Sequence, residues 1–402
     1  MLETQDNAVV RNADIRWRVG LLAPQAFHFY SSEVVSGMSS VRLEPGQGVI
    51  PVDLLYRRDE DIPELLAAAK LDGMILGLDR GRYDKYRKYL PDIPMVNVHP
   101  DNLGPTIPTI AIDPQALARA TVRYFKSLGV RNIATVSTVN TEAQKRVLHH
   151  IRECMADGGG EFDSFTVGVS GITTSYQNRH ELPVVEGLDD WLSRLARPTG
   201  ILSSGGYTAI TVVQAARRLG IGIPDSLSVL SRSDDNVCLF ADPPISSFRS
   251  VGSVVGKLAI KLLTKHLNGH PLPQDEIGLP APTVVERYST GVPQGTESSL
   301  AMAVHYIRQN AFKGITVEDV LDASPGLSRS RLYRGFEEQF GNSPAHEILR
   351  LRIEEAKYLL RFSGKSLTEI SEQCSFKNVA HFSTVFTREE GMSPGKWRKK
   401  SV

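Results

Sequence analysis

Three cysteines in 402 residues, Cys154, Cys238 and Cys374, are too few and too far apart for a disulfide scaffold, a Cys-x-x-Cys redox pair or a zinc ribbon, and they fit a reducing compartment. No apolar run approaches the ~18–20 residues of a membrane span. The opening residues, Met1-Leu-Glu-Thr-Gln-Asp-Asn7, lack the basic and apolar regions of a secretory signal. A cytoplasmic chain without a membrane partner is therefore expected. Catalytic signatures are missing as well: there is no G-x-x-x-x-G-K-[ST] phosphate loop, no H-E-x-x-H and no G-x-S-x-G elbow. The ten histidines are mostly scattered, and His149 and His150 sit side by side on an expected helix, pointing in different directions. The expectation is a non-enzyme with no cofactor and no metal.

Charge of one sign is missing overall, since 46 Lys+Arg face 45 Asp+Glu, but the balance is uneven along the chain. Ser298–Val402 holds 16 basic and 12 acidic residues, and the remainder holds 30 and 33. A basic C-terminal module on a slightly acidic body fits phosphate binding through counterion release, and equally a solvated helical surface.

From about Arg18 to Tyr288, short apolar runs alternate with helical patterns, the sequence form of a parallel sheet covered by helices on both faces. The spacing predicts strands at Val19–Ala23, Val52–Tyr56, Gly73–Leu78, Met95–Val98, Asn132–Ser137, Phe165–Val169, Thr199–Ser203 and Leu227–Leu230. One large sheet and two lobes are both compatible with this pattern. Helices are expected at Ser32–Ser40, Pro63–Ala69, Pro114–Leu128, Thr141–Ala156, Gly187–Ala196, Tyr207–Leu219 and Gly252–Leu267. Asp113 as N-cap, Pro114 at the first helical position and the stop at Gly129 mark the third of these. Ligands of such sheets bind beyond the carboxyl ends of the strands. The stretch Thr290–Ser299 breaks all periodicity with Gly, Pro and polar residues, and a linker is placed there. The expected division is a tail over 1–17, an effector-binding body over 18–289, a linker over 290–299 and a helical domain over 300–402.

After Leu300 the pattern is purely helical. Ala301–Asn310 precedes a short helix opened by Thr316-Val-Glu-Asp319, and Ser324-Pro-Gly326 turns the chain into Ser328–Gly341, with Leu332, Phe336 and Phe340 on one face. A long helix, Pro344–Phe362, follows. Then the arrangement repeats: the Ser366-x-x-Glu369 capping box opens a helix through Cys374, and a turn at Ser375–Lys377 leads to Val379–Glu390. Two helix-turn-helix units straddle one connecting helix, although a generic helical bundle has the same pattern.

At these residues the C-terminal module resembles the AraC-type transcription regulators, carried by Ser366–Phe376, His381–Phe386, Gly391–Pro394 and Trp397-Arg398. The body resembles the sugar-binding domain of LacI/GalR regulators, itself similar to periplasmic binding proteins, at Asn132–Ser137, Arg217–Val229 and Val284–Arg287. Their fusion, with Ala303–Arg308 and Lys313–Ala323, is similar to the xylose-responsive regulators of enteric bacteria. The resemblance implies a two-lobed periplasmic-binding-protein-like α/β body with parallel sheets, followed by an all-α double helix-turn-helix domain. It implies a sugar-responsive regulator of a sugar catabolic operon, an activator that binds double-stranded operator DNA as a homodimer, with RNA polymerase as a further partner and D-xylose as the first candidate effector. A different sugar or small polar ligand, and a sugar receptor without a DNA role, are the alternatives.

For DNA, the first recognition helix offers Arg329, Ser330, Arg331, Tyr333 and Arg334. Arg331 and Arg334 are suited to guanine O6/N7, or else to phosphate. The resemblance places the second set of readers at Val379, Ala380, His381, Ser383 and Thr384, small or apolar residues that suit thymine methyls, with Lys377 and Arg388 on phosphates. The family's usual glycine before Phe376 is Ser375 here. For a sugar, polar groups must meet hydroxyls and an aromatic face must meet the ring. Phe27, His28, Phe29 and Tyr30 follow the first strand, Asp234, Asp235 and Asn236 follow a later one, and Arg146 matches a ligand-binding arginine of the family. Each has a plainer alternative: a turn cap for the aspartates, an ion pair with Glu142 for Arg146, the core for Phe27 and Phe29. At Ser204-Gly205-Gly206, where the family often carries a polar acceptor, glycines stand.

Overall fold

The computed structural model describes residues 17–24, 28–41, 48–56, 58–138, 141–156, 159–167, 185–274, 276–291 and 298–400. The chain forms two compact units, one built from the segment ending at Ala111 together with Val251–Leu279, the other from Ile112–Ser250 together with Pro280–Val402.

The chain starts in the first unit with β1 (Trp17–Pro24), α1 (His28–Ser39), β2 (Val49–Tyr56), α2 (Ile62–Ala68), β3 (Gly73–Leu76), α3 (Arg80–Tyr86), β4 (Met95–Asn97) and β5 (Ile110–Ile112). The second unit opens with α4 (Pro114–Ser127), β6 (Asn132–Ser137), α5 (Glu142–Met155), β7 (Phe162–Thr166), α6 (Leu188–Arg194), β8 (Thr199–Ser203), α7 (Gly206–Arg218), β9 (Leu227–Ser231), α8 (Val237–Phe240) and β10 (Ser246–Phe248). A return to the first unit supplies α9 (Gly252–Leu267) and β11 (Ile277–Leu279). The remainder, β12 (Val284–Val285) and the helices α10 (Ser298–Asn310), α11 (Val317–Asp322), α12 (Arg329–Phe340), α13 (Pro344–Phe362), α14 (Leu367–Gln373), α15 (Val379–Glu390) and α16 (Pro394–Lys400), belongs to the second.

In the first unit the sheet order is β2-β1-β3-β4, all parallel. From Val19 onward β1 buries every residue, as a strand covered on both faces must. Around it, Leu22, Leu54, Ile62, Met74, Leu76 and Tyr86 form the core. Helices α1 and α9 cross at backbone contact: a Cβ on Gly256 would lie 2.0 Å from the Val34 carbonyl oxygen, and one on Gly37 the same distance from that of Ser253. Only glycine permits this approach.

The second unit holds a six-stranded sheet in the order β12-β10-β9-β8-β6-β7, parallel except for the antiparallel β10–β12 pair. Two separate main sheets, with β5 and β11 forming a further two-stranded one, thus resolve the choice the pattern left open. The expected strands Asn132–Ser137 and Thr199–Ser203 and helices Gly252–Leu267, Pro344–Phe362 and Val379–Glu390 have the bounds observed. The strand expected at Phe165–Val169 is instead Phe162–Thr166, paired with β6 in register Ile133–Phe162; residues 168 and 169 lie outside the described residues. Strand β1 begins at Trp17 and helix α10 at Ser298, each slightly before its expected start. Four strands of two or three residues (β5, β10, β11, β12) and helices α3, α8 and α16 were not expected.

Local chemistry explains the helix starts. Asp113 accepts from Gln115 N at 2.7 Å and Ala116 N at 3.1 Å, with Pro114 beside it. Thr316 with Asp319, and Ser366 with Glu369, close reciprocal capping boxes. The C-terminal helices pack around a pair of cores. Leu300, Val304, Val320, Leu332, Phe336 and Ile348 fill the first. The second contains Ile353, Ala356, Leu360, Ile370, Phe382 and Phe386, with the last two rings edge to face at 5.6 Å. Ser375 is the one non-glycine residue with positive φ (55°) among the described residues, and its hydroxyl donates to the Phe312 carbonyl oxygen.

Two stability outcomes follow from these contacts. Gly256→Ala is expected to cost about 1–3 kcal/mol or more through backbone overlap, while Gly81→Ala, whose Cβ meets only Asp79 Oδ1 at 3.4 Å, stays neutral or stabilising; urea unfolding of both variants is the check. At Ser375, alanine keeps the left-handed backbone cost of about 1–2 kcal/mol and loses the hydrogen bond, whereas glycine removes the cost. Melting temperatures should therefore place Ser375→Ala below both Ser375→Gly and the native protein.

Candidate functional site

Three sheet strands of the second unit end in polar segments. After β9, Asp234 forms an ion pair with Arg287 Nη1 at 2.8 Å and accepts from Ser247 Oγ at 2.7 Å. Arg287 also donates to the Ile245 carbonyl at 2.7 Å and to Ser247 Oγ at 2.9 Å, and its side chain is only 13% exposed. Asp235 faces the start of α7: its carboxylate accepts from Gly206 N at 2.9 Å and from Ser233 Oγ at 2.8 Å, a negative charge at a helix N-terminus. Asn236 is exposed and precedes α8. The charge of Asp235 is felt locally. Burial pushes the Cys238 thiol up to about 11 with Asp235 adding to it, and burial and Asp235 together raise the Tyr207 phenol. Tyr207, beside the Ser204-Gly205-Gly206 turn, is an aromatic group that the sequence reading overlooked. Arg146 is half-buried on α5, and the expected alternative of a pair with Glu142 is not what forms: Glu142 takes Lys145 at 2.6 Å.

In the first unit Phe27 lies outside the described residues, and so do the side chains of His28 and Phe29, which open α1. Tyr30 is half-buried and donates its hydroxyl to the Val98 carbonyl at 3.1 Å. The strand ends here carry groups that no local pattern announced. Asp79 accepts from Arg82 N at 2.8 Å. Although burial pushes its carboxyl up, the hydrogen bonds and charge of Arg82, helped by His99, outweigh this and the net shift is downward. Asn97 donates to the carbonyls of His99 and Asp101 at 3.0 and 2.7 Å, fixing the loop after β4. Asp79, His99 and Asp101 were missed because their spacing of two to twenty residues matches no periodic motif.

Among the C-terminal helices, α12 buries Leu332 and Phe336 and exposes Ser330, Arg331 and Arg334, with Tyr333 37% exposed. Of its arginines, Arg329 pairs with Glu318, while Arg334 reaches Glu338 only at 4.0 Å with both side chains 70% exposed, a weak contact in water. In α15, Ala380, His381 and Thr384 are exposed, Val379 and Ser383 half-buried, and Phe382 and Phe386 buried. Thr384 donates its hydroxyl to the Ala380 carbonyl at 3.0 Å. Asn378 caps the helix through His381 N at 2.8 Å. Lys377 is exposed, and Arg388 engages Glu389 with two nitrogens at 2.9 and 2.7 Å.

The α/β portion of the second unit is joined to these helices by buried charge. Arg249, just past β10, donates to Glu355 Oε1 on α13 at 3.1 Å; the carboxylate is 4% exposed. Arg249 also lies 5.7 Å from the Tyr358 ring centroid. A second contact places Arg308 of α10 over the Tyr124 ring at 4.6 Å, with Glu286 Oε1 at 3.6 Å and His305 Nδ1 at 3.2 Å from Glu286 Oε2. Burial, reinforced by the Glu286 charge, pushes the Tyr124 phenol far up; its hydroxyl shares hydrogen bonds of 2.6 Å in the Tyr124–Thr290–Ser246 chain. No helix among the described residues is long and apolar enough to cross a membrane.

Comparisons with known proteins agree with this geometry. Residues 122–290 match a periplasmic binding protein-like domain, and 323–400 a helix-turn-helix domain. The chain is 28% identical over 335 residues to the xylose operon regulatory protein of Escherichia coli strain K12, covering 81% of this chain and 83% of that one. A solved xylose-binding transcription activator superposes with TM-score 0.55 at 25% identity over 96% of this chain and 99% of that one. A LacI family regulator from Enterococcus faecalis with bound ribose shares the fold of the body, with TM-score 0.54 at 14% identity over 69% of this chain and all of that one. The chain is a DNA-binding transcription regulator with the architecture of the xylose operon regulators, a periplasmic-binding-protein-like body followed by an AraC-type double helix-turn-helix domain.

Proposed function

We propose that this regulator controls a sugar catabolic operon in the cytoplasm and that its effector is D-xylose. The observation that carries the reading is that one compact unit holds both the Asp234–Asp235 strand end and the double helix-turn-helix, tied by the Arg249–Glu355 pair. Asp235, Tyr207, Arg146 and Asn236 are the ligand groups of the second unit. Phe27, His28, Phe29 and Tyr30 keep the role of candidate ligand groups that the sequence resemblance suggests for the first unit taken by itself. Asp234, spent on Arg287, holds the loop in place. The working division is a body over 18–289, a linker over 290–299 and a DNA domain over 300–402. The solved xylose-binding relative supports the choice of sugar.

On DNA, Arg331 and Arg334 read guanines from α12, with Arg329, Ser330 and Tyr333 alongside. Val379, Ala380, His381, Ser383 and Thr384 pack on base edges from α15, and Lys377 and Arg388 bind phosphates. The protein acts as a homodimer and activator with RNA polymerase as partner.

Sugar changes DNA affinity only through its different affinity for two shapes of the protein. A short chain of contacts is available for this: Ser247 bonds Asp234, and two residues later Arg249 holds Glu355.

Titration calorimetry with D-xylose, L-arabinose, D-ribose and D-glucose is expected to show xylose binding that Asp235→Ala abolishes; absence of binding to any pentose would move the effector to another class. Arg331→Ala should cost about 1–3 kcal/mol of operator affinity and relax specificity at one base pair, whereas a phosphate contact would weaken all sequences alike and lower the salt slope by about one; competition binding across operator variants separates the two. Arg249→Ala should leave xylose affinity close to native and reduce the xylose-induced change in operator binding, measured by fluorescence anisotropy with and without sugar.

A further inference from the structure

Between α4 and the 280–286 segment on one side, and helices α10 and α13 on the other, the second unit forms a recess of about 690 Å³ that opens to solvent, the size of small-molecule sites. Six cationic side chains line it, Arg119, Arg123, Arg308, Lys313, Arg350 and Lys357, against the carboxylates of Glu286 and Glu354. Three of these cations are already neutralised. Arg308 faces Glu286, Arg350 grips the buried Glu347 with two nitrogens at 2.7 and 2.6 Å, and Lys357 contacts Glu354 at 3.2 Å and Glu390 at 3.1 Å.

The other three form no ion pair among the described residues. Among the described residues Lys313 bonds the Asn310 amide oxygen at 3.1 Å. Arg119 and Arg123 stand one turn apart on α4 with no hydrogen bond or ion pair among the described residues. Crowding by protein atoms lowers the Arg123 pKa from its ordinary value and the Arg350 and Arg119 charges add to this, while the Glu347 and Glu354 charges oppose it without reversing it. Arg119 and Arg123 are both exposed to solvent, and two like charges one helical turn apart repel one another, a repulsion that an arriving dianion relieves. Planar guanidiniums in adjacent helical turns also suit the bidentate geometry of phosphate oxygens better than that of a single chloride.

We propose that this recess is a second effector site, distinct from the sugar site, and that it takes a small phosphorylated metabolite through Arg119, Arg123 and Lys313. Because its walls come from both the binding body and the DNA-binding helices, an occupant clamps the two together and alters operator affinity independently of sugar.

The test uses the full chain at constant ionic strength. Inorganic pyrophosphate and D-ribose 5-phosphate are titrated by calorimetry, with D-ribose and sodium sulfate as controls, and operator affinity is then measured with and without the phosphorylated probe. Saturable binding of a phosphorylated probe, at least tenfold weaker in Arg119→Ala/Arg123→Ala and intermediate in Arg119→Lys/Arg123→Lys, together with a probe-dependent change in operator affinity, is the expected result. The melting temperature and circular dichroism of each variant establish that it folds, and Lys313→Ala provides an independent variant on a different element. No saturable binding, sulfate binding as tight as the phosphorylated probes, or binding unchanged in the arginine variants would each overturn the proposal. So would a drop in probe-free operator affinity with a shallower salt dependence in the arginine variants, since that result assigns the guanidiniums to the DNA backbone.

Discussion

Helix α13 has to satisfy three sets of neighbours with one rigid cylinder. Ile348 near its start closes the first helix-turn-helix core, Ile353, Ala356 and Leu360 build the second, and between them Glu355 turns toward Arg249 from the α/β portion. At 1.5 Å per residue its 19 residues span about 28 Å, so both recognition helices are referred to one axis. Because Glu355 is buried and its second oxygen has no hydrogen-bond partner, the carboxylate depends on Arg249 for its charge balance. Removing that partner leaves an uncompensated buried charge, whereas the intact pair adds little net stability. The pair therefore serves to fix where the DNA module sits more than to hold it folded.

That placement connects to the sheet by short covalent steps. Strand β10 lies beside β9, whose end carries Asp234 and Asp235, and Ser247 in β10 is hydrogen bonded to Asp234 while Arg249 lies two residues beyond. The β9 loop and α13 are thus linked by two hydrogen bonds separated by two residues of chain. The Tyr124–Thr290–Ser246 chain runs from the same strand to α4 and, through Arg308 stacked on Tyr124, to α10. Two contacts at separate points on the helical module resist rocking in a way that one cannot, which is why both involve buried or half-buried charge rather than surface pairs.

Much of this architecture was legible in the sequence where local chemistry is strong. Capping boxes at Thr316 and Ser366, Asp113 with Pro114, and continuous apolar runs such as Gly-Ile-Leu in β8 each announce an element by itself, and the helical bounds at Pro344–Phe362 and Val379–Glu390 follow from N-caps and terminal residues. The two- and three-residue strands β5, β10, β11 and β12 carry no period at all; they exist because neighbouring strands offer hydrogen bonds. The site was legible in residue type but not in role. Two adjacent aspartates look alike in sequence, yet Asp234 is taken by Arg287, 53 positions later, and Asp235 by the backbone of α7. Ser375 was visible as a departure from the family pattern, and the reason it is tolerated, a hydroxyl bonded to Phe312, lies 63 residues away.

The glycines at 205 and 206 show how packing excludes a side chain from the start of α7. Gly205 is extended, and a Cβ there would meet Asp235 and Ser233 at an ordinary 3.6 Å, so nothing local forbids a larger residue. At Gly206 a Cβ would lie 2.7 Å from Val237 and 3.0 Å from Cys238 and from Asp235, while its amide already serves Asp235. The close approach that lets Asp235 cap α7 is thus the reason this position carries no polar acceptor. Asp235 accepts from the helix N-terminus instead, with Tyr207 one residue further on. The acceptor at this turn is therefore a carboxylate held by the α7 backbone and by Ser233 rather than a side chain on the turn itself.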